Sequence, residues 1–234
     1  MADLINQEQK THQRRIRSFV KRSGRMTAGQ QAAYDQFWPE KGLLLADGMM
    51  DYQHVFGRTG EVILEIGFGM GQSLVQMAKA APEKNFIGIE VHEPGVGKLL
   101  HSMQEENVDN IRIYCADAVE VLKACIPDDS LSRVQIYFPD PWHKKKHNKR
   151  RLIDSEFVNN LSVKIKANGV MHLATDWEDY AEQMMEVMTR STDFDNMGDD
   201  YAFSDRPDFR PITKFERRGE RLGHGVWDLL FKKR

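Results

Sequence analysis

Five apolar runs through the middle of the chain constrain its fold more than any other feature: VILEI (62–66), FIGIEV (86–91), IRIYC (111–115), VQIYF (134–138) and VMHLA (170–174). Each is too short for a helix and nearly apolar throughout, the pattern of a strand buried on both faces of a parallel sheet. Between them, apolar residues recur at helical spacing: Leu74, Met77, Ala78 and Ala81; Val96, Leu99, Leu100 and Met103; Ala118, Leu122 and Cys125; Val158, Leu161 and Ile165. Strand–helix alternation of this kind predicts a doubly wound α/β domain with right-handed crossovers. Tyr180, Met184, Val187 and Met188 predict a further helix from Trp177 to about Arg190, and Val226–Phe231 reads as the closing half of an antiparallel pair late in the sheet.

A chain of 234 residues suits one such domain plus an extension. The extension is expected at residues 1–35, a polar basic arm with weak helical pattern that is free to flex, with the folded domain over 36–234. Between Glu8 and Asp35 there is no acid, while Lys10, Arg14, Arg15, Arg17, Lys21, Arg22 and Arg25 are all basic. The net charge of −2 therefore hides a strong local asymmetry. Trp38 to Gly48 reads as an irregular, partly apolar connection. No apolar run approaches membrane-spanning length, and the first residues lack a secretory pattern, so a cytoplasmic protein is expected. Cys115 and Cys125 have no histidines at metal-ligand spacing, which argues against a zinc site or any other metal centre and against a disulfide framework.

The first strand runs into EIGFGMGQS, with Gly67, Gly69 and Gly71 alternating. A dinucleotide loop places its last glycine where this chain has Gln72, and Glu65 just ahead would repel a pyrophosphate. A carboxylate there suits a ligand carrying positive charge. Three more acids follow successive strands: Glu90, placed to accept from ribose hydroxyls; Asp117, placed either to accept from an adenine amino group or to cap the next helix; and Asp140. Ligands of open α/β sheets bind outside the carboxyl ends of the strands, so the four acids predict one anionic crevice.

In FPDPW, Pro139 and Pro141 restrict the backbone on either side of Asp140, and Trp142 adds a flat apolar surface. Six cations follow: Lys144, Lys145, Lys146, Lys149, Arg150 and Arg151. So much positive charge beside a ligand pocket points to a polyanionic substrate, with nucleic acid foremost.

The segments EIGFGMGQSL, GIEVHEPGVGKLL, YFPDPWHKKKHNKRRL, LATDWEDYAEQM and ITKFERRGERLGHGVWDL together resemble, in order and spacing, the bacterial tRNA (guanine-N7)-methyltransferases, over about residues 60–234. The resemblance implies a mostly parallel seven-stranded sheet of the Rossmann-like methyltransferase type with an antiparallel closing strand. It implies S-adenosylmethionine as methyl donor, tRNA as partner, N7 of a variable-loop guanine as acceptor, and a monomer or homodimer with no obligatory protein partner. By position, Glu65, Glu90, Asp117 and Asp140, with the loop glycines Gly67, Gly69 and Gly71, would contact the donor, Asp140 also being catalytic. Lys144, Asp176, Thr213, Lys214, Phe215 and Glu216 would hold the substrate nucleotide. Lys146, His147, Asn148, Lys149, Arg150 and Arg151 would touch RNA. Alternative structural readings stand beside these: Asp176 as a helix cap, and 213–216 as a strand edge.

Overall fold

The computed structural model describes residues 18–19, 24–198, 202–213, 216 and 225–234. Most of the basic arm, and Lys214 and Phe215 of the expected substrate segment, lie outside these residues.

Helix α1 (Ala28–Lys41) leads into a two-residue strand β1 (Gly42–Leu43), a short helix α2 (Tyr52–Phe56) and then the repeating core. That core is β2 (Val62–Ile66), α3 (Gln72–Ala80), β3 (Asn85–Ile89), α4 (Glu93–Glu106), β4 (Ile111–Tyr114), α5 (Ala118–Ala124), β5 (Leu131–Tyr137), α6 (Ser155–Ser162), β6 (Ile165–Thr175) and α7 (Glu178–Arg190). Strands β7 (Phe194–Asn196) and β8 (Trp227–Lys233) finish the sheet, whose order is β1-β4-β3-β2-β5-β6-β8-β7. The pairs are parallel as far as β6, and β8 runs antiparallel between β6 and β7. The described residues thus contain eight strands where seven were expected, the extra one being β1, which is too short to show as an apolar run.

One face of the sheet packs against α1, α3 and α4, the other against α5, α6 and α7. Leu64, Ile87, Val134 and Leu173 fill the second face and are fully buried. Burial of about 25 cal/mol for each Å² of apolar surface makes this two-sided core the main favourable contribution to folding.

Two local readings of the sequence change. Ile165, assigned above to a helical stripe, opens β6 and pairs with Leu131; the chain then bulges, with Asn168 left-handed at φ 64°, and pairing resumes at Arg133 with Val170. Residues 28–35, placed by sequence in the arm, are helical, and α1 continues through Trp38–Lys41, where an irregular connection was expected. A capping box begins it: Thr27 Oγ1 accepts from Gln30 N, and Gln30 Oε1 accepts from Thr27 N at 2.8 Å. Its seat is Gly97 of α4, where a Cβ would stand 3.0 Å from Gln30 O and from Met26 Sδ. Among the described residues no helix is long and apolar enough to cross a membrane.

Candidate active site

The carboxyl ends of β2, β3, β4, β5 and β6 open into one cavity of about 670 Å³, within the range of roughly 300–1,000 Å³ usual for small-ligand sites. Gly67, Gly69, Glu90, Asp117, Asp140 and Asp176 all line it. Three of the four strand-end acids expected to form an anionic crevice therefore meet there, joined by Asp176 from the end of β6.

The glycine loop forms the floor. Gly67 and Gly69 have φ of 77° and 60°, a region costly for residues bearing a Cβ, and the space a Cβ would fill at each is open. Glu90 braces the loop: its Oε2 accepts from Gly69 N at 2.8 Å, and its Oε1 accepts from Val91 N and His92 N at 2.7 and 3.0 Å. Gly71 does not line the cavity; it is left-handed at φ 73° and lets α3 start against Leu99 of α4. Gly95 was not anticipated. A Cβ there would stand 2.1 Å from Gly69 O, so the close approach of α4 to the loop requires glycine at this position.

Asp117 caps α5, Oδ1 accepting from Val119 N at 3.0 Å, and the same residue lines the cavity, so the cap does not remove it from a ligand's reach. Asp176 is not a helix cap. Trp177 occupies the N-cap position of α7, with no side-chain cap bond, and its N–H donates to Thr175 Oγ1.

Asp140 is exposed on a loop whose flanking residues Phe138 and Trp142 are both left-handed, at φ 51° and 48°. Such backbone costs on the order of 1 kcal/mol or more at each non-glycine residue, so the loop is held from outside. Phe138 N donates to Ala174 O at 2.8 Å, and Arg151 Nε donates to Pro141 O at 2.9 Å. Arg151 is only 4% exposed; it also pairs with Asp179 and lies over the Tyr180 ring. Expected from sequence to touch RNA, it is instead a buried strut for the Asp140 loop. Trp142 is turned to a similar purpose, its indole donating to Ser18 O at 3.0 Å with the Arg150 guanidinium 3.9 Å over its ring. The aromatic wall of the cavity comes from residues the sequence reading did not select: Phe138, and His143 edge-on to Trp177 with ring centroids 4.2 Å apart. Their only advance sign was position, next to Asp140 and Asp176.

Glu65 does not reach the cavity. It is 2% exposed, behind the glycine loop, its Oε2 accepting from Gln135 Nε2 at 2.7 Å. Burial pushes its carboxyl up to about 7, against the lowering effects of the Gln135 hydrogen bond and the Arg133 charge, with nearby Glu90 raising it further. Lys144, Lys145, Lys146 and Lys149 are exposed beside the cavity mouth, with His147 and Asn148 half-buried among them. Thr213 and Glu216 lie off the cavity lining and cap one another: Glu216 N donates to Thr213 Oγ1 at 3.1 Å and Thr213 N to Glu216 Oε2 at 3.2 Å.

S-adenosylmethionine fits this donor set. The cavity carboxylates suit a ribose diol, an adenine amine and two cationic centres, and Glu90, at the end of β3, already takes the Gly69 amide that a pyrophosphate would need.

Comparison with known proteins agrees. Residues 59–229 match a family model described as "Putative methyltransferase". The tRNA (guanine-N(7)-)-methyltransferase of Alcanivorax borkumensis is 57% identical over 238 residues, covering all of both chains. That of Idiomarina loihiensis is 59% identical over 94% of this chain and 89% of its own. Among solved structures, the 16S rRNA methyltransferase KamB superposes with a TM-score of 0.53 at 12% identity, over 79% of this chain and 94% of its own, a likeness of fold alone. The aminoglycoside resistance methyltransferase NpmB1 gives 0.51 at 17%, over 74% and 87%. On its sequence, its fold and the acids gathered at its strand ends, the chain belongs to the tRNA (guanine-N7)-methyltransferase family.

Proposed function

We propose that this protein transfers a methyl group from S-adenosylmethionine to N7 of a guanine in the variable loop of tRNA, acting in the cytoplasm. The observation that carries the reading is the convergence of the glycine loop, Glu90, Asp117, Asp140 and Asp176 on one cavity bordered by exposed lysines. When bound, the donor supplies an electrophilic methyl group on a cationic sulfur.

The residues divide the remaining work. Glu90 and Asp117 accept hydrogen bonds from the donor's ribose and adenine, and the open floor at Gly67 and Gly69 admits its backbone. Glu65 lies buried behind the floor, hydrogen-bonded to Gln135, and makes no contact with the donor. N7 of guanine carries a free lone pair, so the chain need not supply a general base, and orientation provides most of the acceleration. Asp140 and Asp176 accept from the N1 and N2 hydrogens of the guanine, a pair of donors that adenine does not present. As positive charge passes to the purine, the same carboxylates stabilise it. His143 and Trp177 give the ring an apolar wall.

N7 faces the deep, narrow groove of an A-form helix, where a protein cavity cannot reach it, so the target is a loop nucleotide turned out of the stack. Lys144 and the 213–216 segment hold that nucleotide, while Lys146, Lys149 and Arg150, with His147 and Asn148, meet the RNA backbone. Incubation with methyl-labelled donor and unmodified tRNA, then digestion to nucleosides, should return the label as N7-methylguanosine. Label in any other nucleoside, or none, contradicts the reading.

A further inference from the structure

Among the described residues, Arg210 is the largest side chain that is completely buried. Its Nε and Nη2 donate to Asp228 Oδ1 and Oδ2, each at 2.8 Å, and its Nη1 and Nη2 donate to Glu216 Oε2 and Oε1 at 2.8 and 2.9 Å. Asp228 belongs to β8; its Oδ1 also meets His172 Nε2 at 2.6 Å, and His172 Nδ1 in turn meets the Tyr137 hydroxyl at 2.9 Å. The guanidinium lies 5.8 and 5.9 Å from the ring centroids of Tyr137 and Phe138, both of which line the cavity. A single fork thus joins Glu216, and through it Thr213, to β8 and, by way of Asp228 and His172, to the cavity wall. Both oxygens of Glu216 are engaged by Arg210, and one also accepts from Thr213 N. The carboxylate therefore faces inward, fixing the turn.

We propose that Arg210 is a positioning residue for the target nucleotide: by holding Glu216 against Asp228 it sets where Thr213 and its turn stand relative to Asp140, and it does so without touching donor or RNA. The proposal rests on the reading that the 213–216 segment holds the substrate. It assigns Glu216 to the scaffold, leaving Thr213 to face the nucleotide. A lysine at 210 keeps the charge but presents one ammonium in place of a planar fork, so it cannot satisfy both carboxylates in this geometry.

The test is Arg210→Lys, measured with wild-type protein in parallel so that failure of the methylation reading itself is seen separately. Losing one charge-assisted pair from the turn should lower kcat/KM for tRNA by roughly tenfold to a hundredfold, while the Kd for S-adenosylmethionine stays within about twofold. Thr213→Ala is then made in both backgrounds. If both residues act through one turn, its effect should shrink in the Arg210→Lys protein. Asp228→Asn weakens the same fork from the strand side; it should give the same split between tRNA and donor and provides the test should Arg210→Lys not fold. Wild-type-like tRNA kinetics, parallel losses of tRNA and donor binding, or multiplicative effects of Arg210→Lys and Thr213→Ala would each overturn the proposal.

Discussion

The sheet face that packs against α1, α3 and α4 has two unlike halves. Over β4, β3 and β2 it is almost wholly apolar: Ile63, Phe86, Ile111 and Ile113 meet Leu74, Val96, Leu99 and Leu100, every one at most 2% exposed. Across β2, β5 and β6 the same face turns polar, and register places Glu65, Gln135 and His172 in one row. Arg133, Tyr137, Asp228 and Arg210 complete a buried chain of hydrogen bonds. Burying such groups costs free energy unless each finds a partner. The dry half holds the glycine loop and Glu90, proposed above to take the donor; the polar half leads through Arg210 to Glu216 and Thr213, proposed to hold the nucleotide. In this account rigidity comes from apolar packing and discrimination from a satisfied polar network.

The sharpest way to break the contrast is to truncate its centre. Arg210→Met leaves Glu216 and Asp228 buried without their cation and should cost about 3–5 kcal/mol of stability, read as a fall in denaturant midpoint at constant m. A loss under about 1 kcal/mol would mean that water replaces the guanidinium and that the network is loosely built.

Glu65 sharpens the contrast through pH. Its carboxyl, pushed up to about 7 by burial, stays protonated in the fold well above its unfolded value of 4.5. The folded state then binds more protons than the unfolded state between these values, so stability is fully present below about 4.5 and falls as pH rises through about 7. The effect is on the order of 3 kcal/mol at most. Glu65→Gln should remove it, leaving the variant more stable than wild type at pH 8 with the difference gone near pH 5. Parallel stability profiles for the two proteins would show Glu65 ionised in the fold.

In the dry half, Gly95→Ala drives a methyl group against Gly69 O and should cost roughly 1–3 kcal/mol of donor affinity or stability, measured by calorimetry. Unchanged donor binding would show that the loop yields freely. The smallest effect is at the surface. If three of the exposed lysines beside the cavity meet phosphates, log K for tRNA falls with log salt at a slope of roughly −3, and each lysine removed takes about one unit from it. Arg151, being buried, should change that slope little when replaced, although the loss of its hold on Pro141 would slow methylation.

The two halves also differ in how readable they were. Strands β2 to β6 and the cavity acids at their ends could be traced from apolar runs punctuated by glycines and aspartates, because burial on both faces leaves a local signature. The polar chain had none. His172 and Asp228 stand inside runs that read as apolar strand, and their partners lie 18 to 56 residues away, so only strand order brings them together. Arg151 closes a run of six cations and looks like its neighbours; its burial is decided by Pro141 and Asp179, not by its own surroundings in sequence. Helix α1 was missed as a docked element because its apolar residues make no continuous stripe, although the T-x-x-Q box at Thr27 marked its start. Glu65 was expected to contact the donor, but alternation along β2 puts its side chain on the same face as Ile63, where it is buried with Gln135 and Met77.

The central claim is that carboxylates gathered at the strand ends hold a cationic methyl donor and a guanine together, with Asp140 between them. Its most direct test is single-turnover methylation of unmodified tRNA by wild type and Asp140→Ala at saturating labelled donor, with donor affinity measured on the same samples. The account predicts N7-methylguanosine from the wild type, a loss of at least about a hundredfold in the variant, and donor binding reduced far less. Full turnover by Asp140→Ala, or a loss wholly explained by failure to bind the donor, would contradict it.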